Sequence, residues 1–492
     1  MAIVGIDLGT TNSLIATAKS DPLILAAPHR LVPSAVRITA DGVVAAGAAA
    51  KLEVIRDPIH TITGIKRFMG RRYSEVADLA DFVPYNVVPG PDDFACVNVG
   101  GRLWRPEEIS AEILKVLKTA AEEHLSENVD RAVITIPAYF NYEQANATRR
   151  ASELAGMQCI RLVAEPTAAA FAYHKRGRSD SSRVLVVDLG GGTYDVSLVV
   201  LDDGVAEVIA VDGDGYLGGD DFDAMLLEWA LDEVRARWRE DLSHDVAGRQ
   251  RLHEAVVQAK CDLSSQTVAS IEVPYLFESV SGWQTVSLEI TRKLFESLTE
   301  ELFRRLATPL ERIRAVVEES WSSWKLDEVL LAGGATRMPR VSQIVAGVTK
   351  REPLRTLNPD EAIAIGAGMQ AGVLAGTNTS VLLLDVVAHA ISIETDGNGV
   401  ATIIWANTTI PTRKEEVFAV ASDEQTSVEV NVLLGGAALA TSNRLIGTVV
   451  LEDLTPPLGE ISVTLDIDAS HELHVTVRHL GSGRAATLNS HV

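Results

Sequence analysis

Cysteine, positive charge and long apolar runs are all scarce in this chain. Its 492 residues include three cysteines, Cys96, Cys159 and Cys261, far apart and odd in number. They form no CxxC spacing, which excludes a disulfide framework and a ready zinc site and fits a reducing compartment. Lys and Arg number 44 against 67 Asp and Glu, a net charge of −23. That deficit of cations argues against a nucleic-acid partner, because phosphate backbones select basic surfaces. No uninterrupted apolar run approaches the ~20 residues of a membrane span. The apolar start Met1–Ile6 meets Asp7 too early for a signal peptide. A soluble, acidic, cytoplasmic protein with no membrane partner is therefore expected. Catalytic signatures are missing as well. There is no Walker A sequence and no GxGxxG after the first strand, so the chain is neither a P-loop protein nor a dinucleotide fold. The 11 histidines contain no HExxH or HxxxH spacing for a catalytic zinc. No GxSxG or Cys/His pairing argues for a hydrolytic nucleophile. His471 and His474, beside strand residues near the C-terminus, are expected to be exposed.

What is present is apolar mass and glycine-rich turns. A hydrophobic content of 47% is ample for several packed cores, and the length suits about three folding units at roughly 150 residues each. Ile3-Val-Gly-Ile-Asp7-Leu-Gly9-Thr10-Thr11-Asn12 reads as a buried strand, a terminal acid and a Gly/Thr turn leading into a second strand, Leu14–Thr17. Val184-Leu-Val-Val-Asp188-Leu-Gly190-Gly191-Gly192-Thr193, followed by Val196–Val200, repeats the pattern 181 residues later. That offset is domain-sized, so a duplicated two-lobed protein is the natural reading. Between the hairpins, Ile109, Ile113, Leu117 and Ala121 recur at helical spacing over Pro106–His124. Further helices are expected over 143–155, 221–239 and 249–263, with another starting at Asn358-Pro359. Trp321 and Trp324, three apart, read as core packing. The α/β mixture ends near residue 375, and beyond it there is strand alternation without a convincing helix. Residues 386–492 carry five basic and thirteen acidic side chains, an all-β domain with an acidic surface. The joint is Val381-Leu-Leu-Leu-Asp385. Interdomain connectors are usually polar, so this one reads either as a segment that docks in some states or as the first strand of the β domain.

The Gly/Thr turns have a chemical rationale. Without Cβ atoms, backbone N–H groups can approach phosphate oxygens, and Thr hydroxyls add donors. Asp7 and Asp188 then stand where a phosphate-bound Mg²⁺ needs compensating charge through its waters. A third turn, Ala332-Gly333-Gly334-Ala335-Thr336 before Arg337, could pass against adenine or ribose. The competing reading is that these glycines only make tight turns. Lys66, in Gly64-Ile-Lys-Arg-Phe68, is a solvated helix cation or a lysine supplying transition-state charge. Glu165, in Ala164-Glu-Pro-Thr167, reads locally as a helix-starting acid.

Taken together, Gly5–Ser13, Val163–Ala170, Asp188–Asp195, Leu217–Asp223, Asn358–Ala362 and the Val381–Asp385 joint resemble the 70-kilodalton heat-shock (DnaK-type) chaperone family. They follow that family's order over nearly the whole chain, and the divergent texture is similar to its HscC-type branch. The resemblance implies an actin-like two-lobed ATPase over residues 1–376, a linker over 377–385, and a β-sandwich over 386–492 that grips extended peptides. It implies ATP/ADP and Mg²⁺ as cofactors. Gly9, Thr10, Thr11, Asn12 and Gly190, Gly191, Gly192 and Thr193 would cradle phosphates. Asp7, Glu165, Asp188 and Asp195 would arrange the hydrated Mg²⁺ and the attacking water, and Lys66 would be the catalytic lysine. Lys260, Ser264, Gly333, Gly334, Arg337 and Asp360 fall where the family holds adenosine. Pro137, Arg161, Leu382, Leu383, Leu384 and Asp385 match positions that relay nucleotide state to the linker and to a J-domain partner. Ile393, Phe418, Ala421, Val428 and Val430 would line a peptide cleft suited to a leucine-like side chain. The acidic surroundings would favour Lys/Arg flanks. Unfolded clients, a J-domain co-chaperone and a nucleotide exchange factor are the implied partners.

The chain also departs from the pattern. Val257 stands where an acidic residue often contacts the ribose, which implies a weaker hold on adenosine. Ala145 replaces the arginine expected eight residues after Pro137, which puts the interdomain relay in doubt. Val387-Ala-His-Ala-Ile-Ser392 replaces Thr-Pro-Leu-Ser-Leu-Gly, and Asp396 takes the place of an apolar arch residue. The helical lid that follows the β domain in the family is not in the sequence. Three functions fit these features. One is an ATP-driven peptide chaperone, the second a small-molecule kinase of the same fold, and the third a nucleotide-binding scaffold that barely cycles.

Overall fold

The strand Ala2–Asp7 (β1) is apolar on both faces and buried along nearly its whole length, as in a sheet covered on both sides. It turns through Leu8–Thr11 into Asn12–Thr17 (β2), with Asp7 opposite Leu14. On its other side β1 runs parallel to Val129–Ile136 (β3), and β3 runs parallel to Gln158–Ala164 (β4). The arrangement recurs in the second lobe. Ser182–Leu189 (β5) pairs antiparallel with Tyr194–Asp202 (β6), setting Asp188 opposite Asp195, while its other edge runs parallel to Glu328–Ala332 (β8). Val205–Asp214 (β7) extends this sheet beyond β6. Each lobe therefore presents one glycine-turned hairpin at the end of a strand with a parallel neighbour. The computed structural model describes residues 2–19, 24–25, 31–174, 181–202, 205–280, 282–321, 324–354, 358–377, 382–420, 425–455 and 459–489.

Four helices lie close to where the sequence puts them, Pro106–Leu125 (α1), Tyr142–Leu154 (α2), Gly219–Trp238 (α4) and Val246–Asp262 (α5); Glu165–His174 (α3) follows the helix-starting Glu165, and Ala362–Leu374 (α6) lies toward the end of the lobes. In α1 the four-spaced Ile109, Ile113, Leu117 and Ala121 are all buried. α2 opens on a reciprocal cap in which Asn141 and Gln144 side chains each take the other's backbone N–H at 3.0 Å. α5 starts three residues before the expected 249 because Asp245 accepts the Gly248 N–H at 2.9 Å. The helix expected from Asn358 begins only at Ala362. Residues 358–361 form a turn, with Asn358 Oδ1 accepting from the Asp360 N–H at 3.3 Å and from Arg337 at 3.2 Å. Trp324 packs partly buried against the second lobe's core, and the side chain of Trp321 lies outside the described residues.

α6 is built of small residues and is apolar all round. A Cβ at Gly366 would lie 1.8 Å from the Ala168 carbonyl oxygen in α3, and one at Gly5 would lie 2.0 Å from the Gly368 nitrogen. These backbone-to-backbone approaches lock α6 across α3 and β1 at the floor between the two hairpins.

The C-terminal part is a sandwich of two four-stranded sheets. One contains Ile391–Thr395 (β10), Gly399–Ile404 (β11), Val428–Leu434 (β14) and Arg444–Leu451 (β15). The other contains Thr412–Ala419 (β13), Glu460–Ile467 (β16), Leu473–His479 (β17) and Ala485–Asn489 (β18). β17 alternates buried and exposed positions, the pattern of a strand with one face on a core. Joining the sandwich to the second lobe is Leu382–Val386 (β9). Leu382, Leu383 and Leu384 pair in parallel with Val205, Ala206 and Glu207 of β7, and Asp385 and Val386 pair with Thr409–Ile410 (β12). Both readings of the greasy joint meet here, because one strand docks on the second lobe and also opens the β domain. Val381 and residues 378–380 lie outside the described residues, as does the side chain of Leu382. Among the described residues no helix is long and apolar enough to cross a membrane.

Candidate functional site

The three glycine turns converge on one cleft. A Cβ at Gly191 would lie 2.3 Å from Thr11 Oγ1, and one at Gly192 3.2 Å from Thr10 Cγ2, so the two hairpin turns face each other with no room for side chains. The Gly190 N–H closes its own turn on the Thr193 carbonyl at 3.1 Å. A Cβ at Gly9 would strike the Asn12 carbonyl oxygen at 2.0 Å. Gly333, at φ 77°, lies against Asp188, where a Cβ would come within 2.5 Å of its Oδ1. That positive φ and that approach together require glycine.

Beneath the turns lies a buried charge cluster. Asp7 ends β1, Asp188 and Asp195 sit opposite each other on β5 and β6, Glu165 begins α3, and Lys66 projects from the short Ile65–Phe68 turn; all five are buried. Lys66 Nζ meets Glu165 Oε1 at 2.5 Å. Asp7 Oδ1 accepts from Thr135 at 3.3 Å, and Asp195 Oδ1 accepts the Tyr139 N–H at 3.0 Å. One ammonium cannot compensate four carboxylates. Burial, reinforced by Glu165, raises the Asp7 carboxyl to about 7 and Asp195 to about 7, and lifts Asp188 well above the ordinary range. Asp188 Oδ2 and Asp195 Oδ2 are buried without a hydrogen-bond partner. Two orphaned carboxylate oxygens and a shortage of positive charge are what a hard divalent cation needs. No group of three acids, histidines or cysteines among the described residues is close enough for direct ligation, so the fit is to an ion reached through water.

The outer rim comes from α5 and the third turn. A Cβ at Gly219 would touch both Lys260 Nζ (3.2 Å) and Ala335 (3.4 Å), which brings those segments together. Lys260 is tied to Asp223 at 2.6 Å and donates to the Gly219 carbonyl at 2.9 Å. Arg337 reaches Asp360 at 2.5 Å and Asn358 at 3.2 Å. Ser264 and Val257 are half-buried beside Lys260. In the sandwich, Ile393 and Val430 are buried and Phe418 and Val428 partly so, all in one apolar cluster. Ala421 lies outside the described residues, and Asp396 is exposed in the turn after β10.

The family description "Hsp70 protein" matches residues 3–491. The chain belongs to the Hsp70 family. It is 44% identical over 495 residues to the chaperone protein DnaK of Thermus thermophilus, an alignment covering 99% of this chain and 80% of that protein. This Hsp70 is an ATP-dependent chaperone with nucleotide-binding ATPase activity, which sets aside the kinase and scaffold readings.

In this Hsp70, Pro137, Arg161 and Asp385 lie where the first lobe, β9 and the sandwich meet. Arg161 Nη2 donates to the Leu383 carbonyl at 3.2 Å. Asp385 is buried; although burial alone would raise its carboxyl, nearby His471 and Arg161 hold it below the ordinary value. The His471 Nε2 to Asp385 Oδ2 distance of 3.4 Å is an ion-pair approach without hydrogen-bond alignment. Pro137 lines a largely apolar interdomain cavity of about 50 Å³ together with Ala145, Val387, His389 and His471. The expectation of an exposed His471 therefore fails, because the loop after β16 turns it toward Asp385 of β9, where it is half-buried; His474 is exposed.

Several participants went unread in the sequence. Arg67, beside Lys66, crosses the cleft to Asp221 at 2.7 Å. Arg444 pairs with Glu75 at 2.8 Å and also with Glu143. Arg149 donates to the Ser470 carbonyl, and Asn407 Oδ1 accepts the Val211 N–H at 2.9 Å. Each joins segments distant in sequence. The one available signal was the unusual Val387–Ser392 stretch, which contains His389.

Proposed function

We propose that this Hsp70 binds extended apolar peptide segments of unfolded clients in its 386–492 sandwich and couples their exchange to ATP hydrolysis in the 1–376 lobes through the 377–385 joint. The observation that carries this reading is β9, whose backbone belongs at once to the second lobe's sheet and to the β domain. A change in lobe geometry must then load the joint directly.

In the cleft, Gly9, Thr10, Thr11, Asn12 and Gly190–Thr193 hold the phosphates, and Lys260, Ser264, Gly333, Gly334, Arg337 and Asp360 hold the adenosine. Asp7, Glu165 and Asp188 would hold a hydrated Mg²⁺ through its waters, and that ion would supply charge neutralisation for the polyphosphate. Asp195 orients the attacking water and accepts its proton, a role suited to a carboxyl raised to about 7. Lys66 supplies preorganised positive charge to the transferring phosphoryl group. Ile393, Phe418, Ala421, Val428 and Val430 form the peptide cleft. Pro137, Arg161, Leu382–Leu384 and Asp385 transmit its state. A J-domain protein and an exchange factor are the expected partners, in the cytoplasm.

Binding and hydrolysis must be coupled reciprocally. Steady-state ATPase activity measured with and without an apolar, Lys/Arg-flanked peptide tests this, and clear stimulation is expected. ATP hydrolysis indifferent to every such peptide would refute the coupling.

A further inference from the structure

Arg67 follows Lys66 in the Ile65–Phe68 turn of the first lobe and reaches across the cleft to the second. Its Nη2 donates to Asp221 Oδ1 at 2.7 Å, with both side chains largely buried. The other oxygen of that carboxylate, Oδ2, accepts the Gly218 N–H at 2.7 Å. From the segment fixed in this way, the Gly219 N–H donates to the Gly190 carbonyl and the Asp220 N–H to the Gly191 carbonyl, each at 2.9 Å. A trans peptide holds its N–H opposite its carbonyl, so these two bonds aim the Gly191 and Gly192 N–H groups away from the start of α4. The fit has little slack. A Cβ at Gly218 would lie 2.2 Å from the Gly191 carbonyl oxygen, and one at Gly192 would lie 2.8 Å from Arg67 Cγ. Four residues on, Arg71 donates to the Gly215 carbonyl at 3.0 Å and lies over the Tyr216 ring at 4.1 Å, a second tie between the lobes that does not involve Asp221.

We infer that Arg67 is a positioning residue of the hydrolysis reaction, which through Asp221 sets the Gly190–Gly192 turn of one lobe against the Lys66 turn of the other. The inference rests on the reading of that turn as a phosphate cradle and of Lys66 as the catalytic lysine. It adds a residue to which neither the glycine pattern nor the family resemblance gave a role. Two adjacent side chains divide the task. Lys66 carries the charge for the transferring phosphoryl group, and Arg67 fixes the backbone donors that act beside it. The charge of Arg67 is already neutralised by Asp221, so it contributes order rather than field at the phosphates. Thr10–Asn12 belong to the first lobe and do not depend on this link, so they keep their hold on bound ATP when it is cut.

The test uses the full chain with Mg²⁺ and ATP, comparing single-turnover hydrolysis and ATP affinity. Arg67→Met keeps the stem against Gly192 and removes the guanidinium. Asp221→Asn can serve only one of the two donors, Arg67 or the Gly218 N–H, and it reads the same link should the methionine variant fail to fold. Loss of one charge-assisted hydrogen bond predicts that each change slows hydrolysis about tenfold or more, with ATP affinity within about threefold of the parent. The double variant should be no slower than the slower single variant, and Arg67→Lys should recover to within about threefold of the parent. An Arg67→Met protein at the parent rate, one that loses rate and affinity in equal proportion, or a double variant in which the two losses multiply overturns the inference. Lys66→Ala is measured alongside. If that variant hydrolyses at the parent rate, the reading of the cleft fails; if it is slow while Arg67→Met is not, only the role of Arg67 fails.

Discussion

Lys66→Ala isolates the contribution of the cation at the centre of the carboxylate cluster. In the parent, Lys66 Nζ sits 2.5 Å from Glu165 Oε1 with both side chains nearly sealed from solvent. Removing it has two separable consequences. The first is structural: breaking a buried pair typically costs ~3–5 kcal/mol, because the remaining charge stays buried. Neighbouring Asp7 and Asp188, already displaced toward their neutral forms, can take up protons and offset part of that cost. The second is catalytic. A preorganised charge aimed at the transferring phosphoryl group is worth ~3–4 kcal/mol, or about 10²- to 10³-fold in rate. The glycine turns proposed to cradle the phosphates do not involve Lys66, so ATP affinity should change by only a few-fold. Thermal melting first establishes that the variant folds. Nucleotide binding and single-turnover phosphate release then separate affinity from chemistry. A folded Lys66→Ala protein that hydrolyses at the parent rate would refute the assignment. One that loses affinity and rate in equal proportion would make Lys66 a ground-state binding residue.

The turns and the carboxylates make further predictions. Gly191→Ala puts a methyl 2.3 Å from Thr11 Oγ1. Thr11 must turn its hydroxyl away or the hairpins must move apart, and ATP affinity measured by calorimetry should fall by about tenfold, with the melting temperature nearly unchanged. An alanine variant with parent affinity would mean that the turns do not close on phosphate. In the nucleotide-free protein, Asp195 is raised from 3.8 to about 7. The folded state therefore holds a proton that the unfolded chain releases. Its stabilising contribution is complete below the unfolded value and is lost as pH rises through about 7. Denaturation midpoints should thus decline between about pH 4 and pH 7 and level off above, and the decline should shrink when Mg²⁺ and ADP are bound. A flat profile without ligand would remove the charge deficit on which the cation site is argued.

The parts of the site legible in sequence were those made by backbone. Asp7-Leu-Gly-Thr and Asp188-Leu-Gly-Gly-Gly announce a strand end and a turn within ten residues, because the glycines answer a local steric demand. α1 was readable for the same reason: its apolar stripe and initial proline act over a single turn of helix. The Asn358 signal was locally sound, since its side chain accepts the Asp360 N–H as a cap does, but regular helix follows only from Ala362. Lys66 and Glu165 are 99 residues apart, and each read alone as an ordinary surface charge. The family resemblance, not periodicity, gave each a role in the site, and only the structure shows them paired.

By itself, then, the sequence determined the periodic elements, the glycine turns, the duplicated hairpin pattern and the apolar joint, since each depends on residues within a few positions of one another. Tertiary structure alone decided which charges become buried partners, that β9 docks on β7 and β12 together, and that His471 turns inward. It also decided that His389 reaches a carbonyl 250 residues earlier. Those outcomes depend on the desolvation and alignment of groups that meet only after the lobes and the sandwich have packed, and no local pattern records them.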